Sequence, residues 1–182
     1  MRRVLIGSLL AAPAWAAPPA ADVAIKQREA AAPVVAVTVD WAAARAAAAP
    51  GLPEKLRPAV DAIALPVLLP RDAALLAGAR VVAGPGWYAA SMDAGGAQVT
   101  LHAFGRAHLR PDLLAEQKAA GFGTGAPRIS RTEGIVSLAF ERFGVAYTLD
   151  VECQAPLTDP RCTDGLFIMG VLDDLAVLGG RP

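Results

Sequence analysis

Hydrophobic and polar residues alternate along two neighbouring stretches of the chain, 136–141 and 145–153. Apolar side chains at every second position are typical of β-strands that have one buried and one solvent-facing side. The positions predicted to be buried are Val136, Leu138, Phe140, Val145, Tyr147, Leu149, Val151 and Cys153. The two stretches therefore predict an antiparallel hairpin, and we expect residues 134–162 to organise the fold.

The register of this hairpin follows from the requirement that both apolar sets share one side of the sheet. A slip of one residue would turn one set outward, so only a connection with an even number of residues fits. Residues 141–144 supply such a connection, and Gly144 can adopt the positive φ that a tight turn requires. The pairs predicted across the hairpin are Phe140–Val145, Leu138–Tyr147 and Val136–Leu149.

A second hairpin is predicted between Trp87 and Arg106, because Gly95-Gly96 is a strong signal for a two-residue turn. The pairs predicted on its apolar side are Met92–Val99, Ala90–Leu101 and Tyr88–Ala103. The pairs predicted on its other side are Trp87–Phe104, Ala89–His102 and Ser91–Thr100. This other side is mixed in polarity, so the pattern assigns it neither to the core nor to solvent.

The remaining patterns predict shorter elements. We expect strands over 34–39, 81–82 and 129–133. We expect helices over 41–49, capped by Asp40, over 71–80 and over 111–120. Residues 66–70 form an apolar segment between two prolines, which predicts an edge strand or an extended buried segment. Residues 165–178 fit a helix to 174 followed by a strand, and they fit a single helix nearly as well.

Together these elements predict an α+β fold. Its centre is an antiparallel sheet of four to six strands built from the two hairpins, with two or three short helices on one face and one disulfide. A mature chain of about 165 residues is long enough for one domain with a hydrophobic core but short for two. We assign residues 34–182 to this single domain.

The first 16 residues have the organisation of a secretory signal peptide. Arg2 and Arg3 form a basic start, residues 4–12 are apolar, and 14–16 form a small-x-small cleavage site. The apolar run is shorter than the about 20 residues of a membrane-spanning helix, so the mature chain is expected to have no stable span. Residues 17–33, rich in alanine and proline, predict a flexible leader. We therefore expect an exported protein, periplasmic or extracellular.

The only two cysteines of the chain are Cys153 and Cys162. In an exported protein the simplest expectation for such a pair is a structural disulfide. The alternative is a redox-active or metal-binding pair. The spacing is not C-x-x-C, and no histidine is near in sequence, so the disulfide is the favoured interpretation.

The charge of the mature chain bears on its partners. Removal of the signal peptide takes away two of the 17 basic residues and none of the 17 acidic ones, which leaves a formal charge of −2. Binding to nucleic acid or to an anionic membrane needs a clustered basic surface. We therefore expect neither of these partners.

Candidate catalytic residues are few. His102 and His108 could converge only if the chain turns at Gly105, and a metal site needs three or four ligands. Asp150 and Glu152 share one side of their strand, and paired carboxylates can perform acid–base chemistry or bind calcium. Acidic residues are, however, also what a solvent-facing strand side predicts.

Several common signatures of enzymes are missing from the sequence. The serines form neither G-x-S-x-G nor S-x-x-K, and the glycines at 121–125 lack the spacing of a phosphate-binding loop. We therefore assign no catalytic, metal-binding or cofactor-binding residue, and we expect no cofactor.

Three segments resemble a group of uncharacterised exported bacterial proteins: LPVLLP at 65–70, WYAAS at 87–91, and YTLDVEC with a following RC at 147–162. The resemblance spans most of the mature chain. It implies a single exported domain and carries no activity with it.

The leading hypothesis is a non-catalytic domain of the cell envelope with a binding or structural role. It would act through its sheet face or its loops on an envelope protein or a small ligand. The alternative is a hydrolase or metal-dependent enzyme that uses His102, His108 and nearby carboxylates. No pattern in the sequence indicates an oligomeric state.

Overall fold

The two predicted hairpins lie side by side at the centre of a six-stranded antiparallel sheet. This arrangement is seen in a computed structural model, which describes residues 34–108 and 126–182 and, within them, all side chains except those of residues 107 and 108. In spatial order the strands are β3 (Arg80–Gly84), β4 (Trp87–Asp93), β5 (Ala97–Phe104), β9 (Val145–Cys153), β8 (Ile135–Arg142) and β7 (Arg128–Thr132).

Two smaller antiparallel ladders flank this sheet. One pairs β1 (Val34–Ala36) with β6 (Arg106–His108), and the other pairs β2 (Val67–Pro70) with β10 (Leu175–Gly179). The α+β architecture, with hairpins at the centre of the sheet, is therefore confirmed.

The helices of the described residues are short. They are α1 (Trp41–Ala46), α2 (Arg57–Val60), α3 (Ala73–Ala77), α4 (Pro160–Thr163) and α5 (Leu166–Asp174), and a 3₁₀ turn spans Glu54–Leu56. Asp40 caps α1 as predicted, because its Oδ1 accepts a hydrogen bond from the backbone N–H of Ala43 at 2.9 Å. The helix ends earlier than predicted, since Ala49 donates its N–H to the carbonyl of Val177 in β10 instead.

Several predictions lie outside the described residues: the signal peptide at 1–16, the leader at 17–33, the helix at 111–120 and the glycine-rich loop at 121–125. The domain limits of 34–182 stay a prediction. No helix in the part of the chain that the structure describes has the length and hydropathy to cross a membrane.

The predicted register of the β4–β5 hairpin is confirmed. Gly95 and Gly96 form the turn with φ angles of 64° and 87°. The observed pairs include Met92–Val99, Ala90–Leu101 and Tyr88–Ala103, and all six of these side chains are buried. The two-residue turn fixes the register because its residues can both adopt positive φ without steric cost.

The predicted register of the β8–β9 hairpin is wrong by two residues. The connection has two residues rather than four: Phe143 and Gly144, with φ angles of 56° and 75°. The observed pairs are Phe140–Tyr147, Leu138–Leu149 and Val136–Val151. Because the turn still has an even number of residues, both apolar sets share one side of the sheet as expected.

Phe143 adopts a backbone conformation that is uncommon for a bulky residue. Its side chain packs against the core, and its carbonyl accepts a hydrogen bond from the N–H of Asp40 at 2.9 Å. These tertiary contacts stabilise the two-residue turn that the local sequence does not favour.

The apolar segment between Pro66 and Pro70 forms β2, and all four residues of this strand are buried. Its partner β10 follows directly after α5, so the run 165–178 is a helix followed by a strand. Of the two alternatives for this run, the divided one is therefore confirmed.

Two tyrosine hydroxyl groups hold β2 above the large sheet. The hydroxyl of Tyr88 accepts a hydrogen bond from the N–H of Leu68 at 2.8 Å, and that of Tyr147 donates to the carbonyl of Pro66 at 2.9 Å. Both tyrosines are fully buried. An unpaired buried backbone group costs about 1–3 kcal/mol, so these bonds help to fix the position of β2.

Burial raises the pKa of both tyrosines well above the ordinary value, because the phenolate would lose its hydration. An unfolded tyrosine ionises near pH 10. The free energy of unfolding is therefore expected to be unaffected below pH about 10 and to fall as the pH rises further.

An alkaline titration tests this expectation directly, because the chain has only two tyrosines. Tyrosinate absorbance should appear in one cooperative step, together with loss of the far-ultraviolet circular dichroism signal. The urea-unfolded protein should titrate gradually near pH 10. A gradual rise near pH 10 in the folded protein would contradict the buried positions of Tyr88 and Tyr147.

The core lies on one side of the six-stranded sheet. Buried residues of α2, α3, α5, β2 and β10 form one hydrophobic cluster with the buried side chains of β4, β5, β8 and β9. The helices therefore cover one face, as predicted, and the small β2–β10 ladder covers it with them. The opposite face of the sheet carries the other half of each alternating pattern.

The predicted disulfide between Cys153 and Cys162 is present and joins the end of β9 to α4. Next to it, the guanidinium group of Arg161 donates hydrogen bonds to the carboxylate of Asp159 and to the carbonyl of Gly95 at 2.9 Å. These side-chain hydrogen bonds lower the pKa of Asp159. The disulfide loop is thereby attached to the turn of the β4–β5 hairpin.

Candidate binding face

One side of the six-stranded sheet has no buried side chain. We call this side the open face. On the four central strands it consists of Trp87, Ala89, Ser91 and Asp93; Gln98, Thr100, His102 and Phe104; Ala146, Thr148, Asp150 and Glu152; and Ile135, Ser137, Ala139 and Glu141. All of these residues are exposed or half-buried. A sheet face of this kind offers a broad, rigid surface because the strands beneath it are fixed by the ladder.

Large apolar side chains are grouped at one end of the open face. Trp87 and Phe104 lie opposite each other on β4 and β5, and they are 41% and 46% exposed. Val82 extends the group onto β3, where it is 59% exposed and pairs with Ala89. Adjacent exposed apolar residues on a well-packed sheet mark a surface suited to an interaction.

The side chain of Trp87 can lie against the sheet because its neighbour on β3 is a glycine. A Cβ atom at Gly84, its pairing partner on β3, would lie 2.5 Å from the indole Nε1. Only glycine therefore lets the indole occupy this position over β3. The ring is pre-positioned, so that binding would cost it little side-chain entropy.

His102 connects the apolar end to the acidic part of the open face. Its ring stacks on that of Phe104, with a centroid distance of 6.4 Å, and its Nε2 lies 3.7 Å from Oδ2 of Asp150. This contact becomes an ion pair only when the imidazole is protonated. Asp150 pairs with Ser137 across the ladder, and Glu152 and Glu141 lie on the same face, as the alternation predicts.

A cleft lies at each end of the open face. The cleft at the acidic end has a volume of about 400 Å³, and Asp93, Gln98 and Glu152 line it. The cleft at the apolar end has a volume of about 270 Å³ and lies between the loop 62–65 and the β3–β4 turn, with Trp87 on its wall. The open face could therefore accept an occupant that extends beyond the strands.

The structure does not bring the candidate catalytic residues together in a described pocket. His102 lies on the open face, whereas His108 lies on β6 and its side chain is not described. Within residues 34–108 and 126–182, no three His, Cys, Asp or Glu side chains converge as a set of metal ligands. Among the described residues, the contact between His102 and Asp150 is thus the only arrangement that supports the alternative enzymatic hypothesis.

Sequence reasoning predicted a solvent-facing side for β8 and β9, but it left the exposure of the same side of β4 and β5 open. The pairs Trp87–Phe104 and Ala89–His102 were predicted, yet their mixed polarity left both burial and exposure open. The contribution of Val82 was missed, although Pro85-Gly86, between the paired residues Gly84 and Trp87, is a two-residue turn signal that could have predicted the pairing of β3 with β4. The contact between Gly84 and Trp87 depends on the same pairing.

Comparisons of the chain with known proteins do not assign it to a family. No family model matches the chain, and neither a curated protein nor a solved structure is significantly similar to it.

Proposed function

We propose that this protein is a non-catalytic, exported domain of the cell envelope that binds a partner through the open face. The observation that carries the proposal is the exposure of Trp87 and Phe104, side by side, on a face with no buried side chain. Aromatic side chains are enriched at binding surfaces because they combine a large apolar area with few rotatable bonds.

Location outside the cytoplasm is supported by the disulfide. A bond between Cys153 and Cys162 is consistent with an oxidising compartment, such as the periplasm or the extracellular space. The signal-like residues 1–16 favour the same location.

The shape of the open face favours binding over catalysis. Catalytic groups act in concave sites that exclude water and hold the substrate within hydrogen-bond distance. On the open face, His102 and Asp150 instead lie on a broad surface, with side chains that are 37% and 27% exposed.

Site-specific photo-crosslinking in intact cells tests the proposal. We expect benzoylphenylalanine in place of Phe104 to give a discrete crosslinked product, since this replacement keeps an aromatic ring on the open face. The matched control places the same residue at Leu157, which is 89% exposed on the disulfide loop. The product at position 104 should disappear when Trp87→Ser is added.

Two results would oppose this function. One is the absence of any product at position 104 in correctly exported protein. The other is the same set of products at positions 104 and 157, because a specific binding face must differ from a merely exposed loop.

A further inference from the structure

The charged side chains that the central strands place on the open face are acidic. On this face the four central strands present four carboxylates, His102 and no lysine or arginine; the carboxylates are Asp93, Glu141, Asp150 and Glu152. The arginines on this side of the sheet, Arg80 and Arg128, lie on the edge strands β3 and β7. The central strands therefore give the face a net negative charge that an occupant would have to match.

Apolar and acidic groups are spaced regularly over this face. Glu141 lies in the same row as Phe104, two strands away, which corresponds to about 10 Å. Asp150 pairs with Thr100, four residues along β5 from Phe104, which corresponds to about 14 Å. An occupant would thus need apolar groups and cationic groups separated by about 10–14 Å, as on one amphipathic segment.

We propose that the open face binds a cationic amphipathic segment of a partner protein. Its apolar side chains would cover Trp87 and Phe104, and its lysine or arginine side chains would face the central carboxylates. This inference rests on the proposed function, because it specifies the partner of that same face.

A second copy of this chain fits the face less well. Two open faces in contact would place carboxylates against carboxylates, which opposes association. Even with both edge strands included, the face extends over only about 20 Å by 24 Å, which is below the roughly 800 Å² per partner of a standard protein–protein interface. A short segment is the occupant that this size and charge favour.

The inference is tested by measuring how synthetic peptides of about 14 residues bind to the exported, disulfide-bonded protein. The probe is a leucine–lysine peptide with an amphipathic helical pattern, and its matched controls replace lysine by glutamine or by glutamate. We expect the lysine peptide to shift the indole N–H resonance of Trp87, and to bind at least about tenfold more tightly than the glutamine peptide at low salt. The glutamate peptide should not bind.

Charge variants of the protein separate a specific site from general attraction. The double variant D150N/E152Q should weaken binding of the lysine peptide about fivefold. The double variant D61N/D173N changes the net charge equally, at exposed residues outside the strands of the sheet, and should change the affinity less than twofold. Circular dichroism and thermal unfolding would verify that both variants fold.

Four outcomes would overturn the inference. The first is equal weakening by the two double variants, and the second is equal affinity for the lysine and glutamine peptides. The third is that a neutral oligosaccharide of N-acetylglucosamine shifts the indole N–H resonance of Trp87 although no peptide does. This result would identify a glycan-binding face. Failure of every probe would also overturn it, whereas crosslinking at position 104 would still support binding by the open face.

Discussion

Replacing Gly144 with alanine is expected to lower the free energy of unfolding by about 2–4 kcal/mol, because the new side chain meets two obstacles. The residue lies in the β8–β9 turn with a φ angle of 75°, where any L-residue other than glycine is strained. In addition, a Cβ atom there would overlap the carbonyl oxygen of Thr38. The segment 37–40 would have to move, although the N–H of Asp40 is hydrogen-bonded to the carbonyl of Phe143.

The β4–β5 turn supplies a matched control for this variant. Gly95 also has a positive φ angle, 64°, but a Cβ atom at this position would have no neighbour within 4 Å. Gly95→Ala should therefore cost only the backbone strain, about 1 kcal/mol. Urea unfolding of the three proteins measures both effects, and equal destabilisation by the two substitutions would contradict the contact between the β8–β9 turn and Thr38.

Loss of the disulfide is expected to lower the free energy of unfolding by about 2–3 kcal/mol. Cys153 and Cys162 are nine residues apart, so the bridge closes a short loop and restricts the unfolded chain. Pro156 and Pro160 already stiffen that loop, which places the expected value at the lower end of this range. Urea unfolding of the oxidised protein with and without reductant measures the effect.

The double variant C153A/C162A is the control for side effects of the reductant. Its midpoint of urea unfolding should equal that of the reduced wild-type protein, and addition of the reductant should not change this midpoint. If the oxidised protein kept the same midpoint after complete reduction, verified by counting thiols, the bridge would contribute nothing to stability.

The two hairpins show how far the sequence determines a register. In β4–β5, Gly95-Gly96 permits one tight turn, and the predicted pairs agree with the structure. In β8–β9, the turn uses Phe143 at positive φ, a conformation that local propensity disfavours and that packing against the core and Asp40 stabilises. Periodicity could fix the buried side of this hairpin, but only the tertiary contacts fix its register.

The open face shows the corresponding limit for a site. Alternation along each strand predicts which residues share a side with Asp150 or with Phe104. It does not predict that β5 pairs with β9, which brings His102 to within 3.7 Å of Asp150. The site is assembled from strands far apart in sequence, so its composition follows from the order of strands in the sheet and not from any single segment.

The pairing of β2 with β10 has a consequence for the nascent chain. Residues 66–70 emerge from the ribosome long before β10, which provides their only strand partner within the described residues. During that interval the apolar segment is exposed, and such segments tend to recruit strands of other molecules. Pro66 and Pro70 flank it on both sides, and prolines in these positions are gatekeepers against aggregation. The same prolines that confine β2 to a short strand therefore protect the chain before it can fold.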